Sequence, residues 1–285
     1  MVDGGRRVDS SVRWVDWSGG AGGVARRRTY GGRVAERDLH LHEVIDIVGQ
    51  GQYDYMAHAA REPTNAMPEM LTLQGTFFVC AVGGGRWPQV VNVWDVGLAG
   101  WDGWAANVDR LNLKRRNAFY GDWWDEAAQW RTGGFDRLCG GVPGSPTTAE
   151  IAAAGVRGTL FVQQLLTVRP GSALDYLDAV VREQVPVWRE RGHEPTGIYE
   201  VLGNQHEVVV LWATSIAAQT ALRRSRDAAR GLAGEPDDGD ERLVAWERTA
   251  ATFVTGGDTH LMTPMPGTVY GPDDWDEAAL SDWLP

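Results

Sequence analysis

The chain has 285 residues, 43% of them hydrophobic and 23% charged. That supports a sizeable core and excludes disorder or a collagen-like repeat. The formal net charge is −11, and a field of that sign repels phosphate, so no nucleic-acid partner is expected. No apolar run reaches the ~18 residues of a membrane span, and no apolar stretch follows the opening Met1–Arg7. The expectation is an intracellular, cytoplasmic protein with no membrane partner.

Two cysteines, Cys80 and Cys139, cannot build a disulfide framework or a four-cysteine zinc site. Lys114 is the single lysine among 27 basic residues. Schiff-base chemistry needs a lysine amine, and a P-loop needs one after its glycines, so both classes are disfavoured. No Gly-x-Ser-x-Gly elbow is present. The expectation is an enzyme without cofactor or metal, colourless as purified.

Residues 1–37 read as an N-terminal extension. Within it Val12–Trp17 has the pattern of a strand. Gly19–Gly23 reads as flexible, because it leads into Arg26-Arg27-Arg28 rather than the apolar helix of a dinucleotide fingerprint. From Leu39 onward the chain repeats itself. Leu39–Ile47 matches Leu160–Val168 in most apolar positions, and Asp54-Tyr55 falls on Asp175-Tyr176. Val91–Trp94 falls on Val209–Trp212, Trp123 on Trp246, Thr132-Gly133-Gly134 on Thr255-Gly256-Gly257, and Pro143-Gly144 on Pro266-Gly267.

Both repeats share one order of elements. A strand (39–48; 159–168) turns into a helix (52–62; 172–191), with Ser172 as N-cap and Gly192 as stop. Two strands follow (72–82 with 89–96; 197–202 with 207–214), then a helix (100–111; 215–230). A third helical piece (122–131; 242–254) leads to a Pro/Gly-rich closing loop. Each β-α-β-β-α unit makes an antiparallel sheet with helices on one face and an apolar second face. The two open faces can close on each other as a barrel inside one chain, without a partner. Residues 38–150 hold the first repeat with its closing loop; residues 151–285 hold the second with its closing loop and the C-terminal tail.

The second repeat resembles the NIPSNAP family. It runs from an apolar strand through Pro170-Gly171 into a long helix, then through Gly197-Ile198-Tyr199 and Glu207–Trp212 to Leu261–Pro266. More broadly, both repeats are similar to the dimeric α+β barrel superfamily. The resemblance implies an α+β fold of two ferredoxin-like units closing a pseudo-dimeric barrel. It also covers cofactor-free monooxygenases, cyclases, isomerases, lyases and haem enzymes, so the fold alone does not choose the activity. The first strand of repeat one departs from the family pattern at His40, His42 and Glu43.

That departure is the main chemical signal. Repeat one carries His40, His42, Glu43 and Asp46 where repeat two carries Phe161, Gln163, Gln164 and Thr167. A purely structural duplication has no need for ionisable groups on one half only. Strand alternation groups His40, His42, Val44 and Asp46 on one face, and Leu41, Glu43, Ile45 and Ile47 on the other. The second set is the more apolar and suits packing against helices, which sends the histidines into the barrel. The opposite register would send Glu43 inward. A buried His–Asp pair moves protons near neutral pH. Trp94 and Trp212, with Asn92 and its apolar counterpart Val210, are candidates to shape a pocket. Gln163, Gln164 and His260 complete the candidate binding set, with His260 over a barrel mouth. Trp123 and Trp246 read as core, and His58 as a surface residue of the first helix.

The expected function is proton-transfer rearrangement of a small, largely hydrophobic or aromatic metabolite: cyclisation, isomerisation or elimination. His40 and His42 would shuttle protons and Asp46 or Glu43 would orient them. The alternatives are a cofactor-free monooxygenase and a non-catalytic small-molecule or haem-binding module.

Overall fold

The computed structural model describes residues 29–30, 33–34, 37–61, 71–80, 82–96, 100–114, 118–235 and 238–273. The chain divides into two units, Met1–Glu36 and Arg37–Pro285. The first contributes a short antiparallel ladder, β1 (Thr29–Tyr30) with β2 (Arg33–Val34). The expected Val12–Trp17 strand and the Gly19–Gly23 run lie outside the described residues.

The second unit holds both repeats. Repeat one runs β3 (Leu39–Ile47), α1 (Gln52–Ala60), β4 (Thr72–Val79), β5 (Gln89–Asp95), α2 (Gly100–Lys114), α3 (Ala118–Ala127) and β6 (Arg131–Gly141). A short helix, α4 (Thr148–Ala154), follows; Thr147 and Glu150 close a capping box on its first turn. Repeat two runs β7 (Leu160–Val168), then α5 (Ala173–Ala179) through a π turn at Val180–Gln184 into α6 (Val185–Arg189). After these come β8 (Glu194–Val201), β9 (Glu207–Thr214), α7 (Ile216–Ala229), α8 (Glu241–Ala251) and β10 (Val254–Pro264). Ser215 caps α7 through its hydroxyl, whereas Ser172 stands at the N-cap of α5 and bonds the Arg169 carbonyl instead. Gly192, at φ +72°, ends the long helix in a conformation that favours glycine.

Eight antiparallel strands close one barrel in the order β10-β4-β5-β3-β6-β8-β9-β7. Within each half the order puts the first strand between the fourth and the third. The halves join where β6 meets β8 and β10 meets β4. Each unit therefore keeps the expected βαββα order and extends it by a further helix and a fourth strand. The segments read as closing loops after the third helix are two eleven-residue strands, β6 and β10. Their Thr-Gly-Gly runs are bulge sites, not turns. A Cβ on Gly134 would lie 2.3 Å from the Val44 carbonyl oxygen, and one on Gly257 (φ +107°) 2.4 Å from that of Leu165. Both strands shift register beside these glycines, so the glycines let the strands approach closely while the ladder bends.

The core lies in three layers. The barrel interior packs Val44, Phe77, Val91, Phe161, Tyr199, Met262 and Tyr270, among others. The helix side of repeat two packs Val162, Tyr176, Trp188, Trp212 and Trp246. The helix side of repeat one packs Ile45, Ile47, Tyr55, Met56 and Val90. Among the described residues no helix is long and apolar enough to cross a membrane.

Candidate functional site

Both faces of β3 are buried, and each carries polar groups. The inward face holds His40, His42 and Val44. His42 meets its pseudo-symmetric counterpart: its Nε2–H donates to Gln163 Oε1 at 2.7 Å. The Gln163 amide then donates from Nε2 to His260 Nδ1 at 3.3 Å. This chain fixes both tautomers, because a carbonyl oxygen only accepts and an amide nitrogen only donates. It leaves His42 Nδ1 and His260 Nε2 without partners. The His260 ring lies against Gly85 of the β4–β5 hairpin, where a Cβ would come within 2.4 Å of it. His40 stacks on Tyr199 with ring centroids 4.7 Å apart.

Burial holds His40 and His42 down at about 4, opposed in His40 by Asp95 and in His42 by the bond to Gln163. His260 is lowered for the same reason, opposed by Asp258. All three imidazoles are therefore neutral at pH 7. A base with so low a pKa accepts protons weakly there.

Asp46 does not join them. It sits at the end of β3, accepts from Gln89 Nε2 at 2.9 Å and pairs with Arg86 at 3.2 Å. The expected His–Asp pair is thus replaced by a histidine–glutamine–histidine chain inside and an ion pair at the rim. Arg137, opposite His42 on β6, pairs with Glu207 at 2.8 Å.

Glu43 faces the helices. Trp94 and Asn92, on the same face of neighbouring β5, join it there, away from the barrel interior. Trp94 Nε1–H donates to Glu43 Oε2 at 2.5 Å, and Asn92 Nδ2–H donates to the same oxygen at 3.1 Å. Asn92 also reaches the Tyr55 hydroxyl at 3.4 Å. Both donors converge on Oε2, and Oε1 has no hydrogen bond among the described residues. Burial raises the Glu43 pKa, and Asp136, directly across the ladder, raises it further; the two donors oppose the shift.

The second half repeats this arrangement with an amide. Trp212 Nε1–H donates to Gln164 Oε1 at 3.0 Å, and Gln184 Nε2–H donates to the same atom at 3.1 Å. Gln184 ends the π turn, which adds a residue to the helix and brings that side chain over the sheet. Tyr55 and Gln184 were not among the expected site residues. Tyr55 had a signal, since the Asp-Tyr pair recurs in both repeats. Gln184 had none, because the π turn has no sequence mark.

His58, expected at the surface, is buried between Trp123 and Trp130, with centroids at 4.5 and 5.4 Å. Among the described residues no three His, Cys, Asp or Glu side chains gather closely enough to hold a metal ion.

No family model matches the chain, and no curated protein matches it. Solved structures do. A protein of Fusobacterium nucleatum subsp. nucleatum named "putative monooxygenase" is 8% identical, with a TM-score of 0.51 over 80% of this chain and 93% of its own. An "anthrone oxidase-like protein" is 12% identical, with a TM-score of 0.56 over 83% of this chain and 96% of its own. At such identities the likeness is one of fold, the dimeric α+β barrel, and the NIPSNAP resemblance gains no match of its own.

Proposed function

We propose that the chain is a cofactor-independent enzyme that moves a proton on a small, largely apolar molecule, with Glu43 as the group that carries it. One observation supports this above others. The same indole clamp holds a carboxyl in repeat one and a carboxamide in repeat two. The clamp needs only an acceptor, so the ionisable group is not required by the fold.

The chemistry follows from the environment. A raised carboxyl pKa makes the ionised form a stronger base and lets the protonated acid persist to higher pH. Trp94 and Asn92 fix Oε2, which leaves Oε1 to take a proton from a C–H beside a carbonyl and return it elsewhere. That exchange is the common element of cyclisation, isomerisation and elimination. The imidazoles, held near 4, suit hydrogen bonding to a polar group better than proton uptake. The fold likeness to proteins named as a monooxygenase and as anthrone oxidase-like motivates the alternative, in which oxygen captures the resulting carbanion.

Anthrone, a flat ketone with an acidic methylene, probes both readings. Under argon in D2O, the protein should speed exchange of that methylene above the buffer rate. Glu43→Gln should lower the enzymatic rate by about 10²–10⁴, and His42→Ala by much less. Oxygen uptake in air, with anthrone oxidised, would favour the monooxygenase alternative. No acceleration by the wild type, or equal rates for wild type and Glu43→Gln, would refute the assignment.

A further inference from the structure

Repeat two contains a cavity of about 430 Å³ between its sheet and helices α7 and α8. Its inner wall is aromatic and aliphatic: Tyr176, Trp188, Trp246, Leu222 and Leu243. Gln164 is its deep polar group. Both hydrogen bonds to Gln164 fall on Oε1, and its Nε2 donates to no described residue. A second cavity of about 370 Å³ opens beside it, between α7 and the β4–β5 hairpin. Arg223 and Thr259 line both spaces, and Arg224 lines the outer one.

The charges at this junction are unevenly matched. Glu247 accepts from Arg226 and Arg230, and Asp227 from Arg226. Arg223 and Arg224 make no ion pair or hydrogen bond with a described residue. In a chain of net charge −11, two guanidinium groups unpaired among the described residues, at the mouth of an apolar chamber, form a local positive focus. A guanidinium fork matches a carboxylate in shape as well as charge.

We infer that this pair of cavities is a second binding site, for an aromatic or similarly apolar carboxylic acid. The ring system lies among Tyr176, Trp188 and Trp246. The carboxylate meets Arg223 at the junction, and a carbonyl or hydroxyl oxygen at the deep end accepts from Gln164 Nε2. The size is in the range of small-molecule sites, and rings gain from aromatic walls. Gln164 cannot exchange protons as a carboxyl does, so the site binds without turnover. It does not depend on the assignment of Glu43.

Calorimetric titration with 2-naphthoate and its neutral isostere 2-naphthamide tests this. Naphthoate should bind once per chain, with affinity falling as salt rises. Arg223→Gln should weaken naphthoate by about fivefold to tenfold and leave naphthamide unchanged. Ala250→Trp, which fills the inner cavity from α8, should abolish both. If that variant does not fold, Thr259→Phe at the shared wall takes its place. Unchanged naphthoate affinity in Arg223→Gln, binding that survives a folded occluding variant, or no saturable wild-type binding at millimolar naphthoate would each overturn the proposal. Glu43→Gln should bind naphthoate as the wild type does, which separates failure here from failure of the proton-transfer site.

Discussion

In repeat one, Trp94 and Asn92 hold the Glu43 carboxyl beneath the helices; in repeat two, Trp212 and Gln184 hold the Gln164 amide. The indole donor is the same in both, the second donor comes from β5 in one and from the helix in the other, and the cost differs. An amide is neutral and accepts two donors at little penalty, whereas a buried carboxylate must be desolvated. The direction of the Glu43 shift records that penalty. The pair separates what the scaffold requires, an acceptor between an indole and an amide, from what it does not, a charge. The barrel interior shows the same contrast at the neighbouring position, where His42 donates to Gln163 across the pseudo-symmetry axis. There the ionisable member is pushed away from neutral pH instead of toward it.

Making the halves alike breaks the comparison most directly. Glu43→Gln should lose about 10²–10⁴ in proton-exchange rate, while Gln164→Leu should stay within about threefold, as measured on anthrone.

The histidines offer a pH test. Their folded pKa of about 4 lies below the unfolded value of 6.5. Between those values the unfolded chain holds protons that the folded chain refuses. Stability is therefore complete above pH 6.5 and is lost as pH falls toward 4, by roughly 3 kcal/mol for each fully protonated site. His42→Gln, which copies the repeat-two residue, should flatten part of that acid limb in thermal melts.

Removing the indole donors comes next. Trp94→Phe and Trp212→Phe should each cost about 1–3 kcal/mol for the lost bond, or ~2–4 °C in Tm per kcal/mol. Only Trp94→Phe should also move the acid limb of the pH–rate profile upward, because its N–H favours the ionised carboxyl.

The smallest effect is a reversal of sign. Glu43 has a raised folded pKa, so its protonated form favours the folded state and stability falls as pH rises above the unfolded value. Glu43→Gln should melt above the wild type at pH 8, with the gap closing toward pH 4.5.

Much of this was legible in the sequence. Apolar matches at near-constant spacing revealed two repeats, and period-two alternation in Leu39–Ile47 grouped His40 with His42 on one face, opposite Glu43, while leaving open which face turned inward. The fourth strands were not legible: Thr-Gly-Gly and the prolines beyond it have turn composition, yet the glycines serve close strand contact. The face on which Asn92 and Trp94 stand was not legible, because β5 is apolar on both faces, with Val91 and Val93 inward and Val90 outward. A sheet buried on both sides loses the alternation that marks its orientation. Pairing Asp46 with a histidine failed for a different reason. Sequence gives the face a residue shares but not how far along the strand its partners stand, and Asp46 lies at the end, beside Arg86 and Gln89.

Burial holds the Glu43 carboxyl above the ordinary glutamate range, while its counterpart Gln164 cannot ionise. The infrared difference between wild type and Glu43→Gln, recorded as pH is raised, measures this directly through the C=O stretch of a protonated carboxylic acid. A band present in the wild type alone should persist well above the ordinary glutamate range before it titrates away. A band already lost by about pH 4.5, the range of an unperturbed glutamate, would contradict a raised Glu43 pKa.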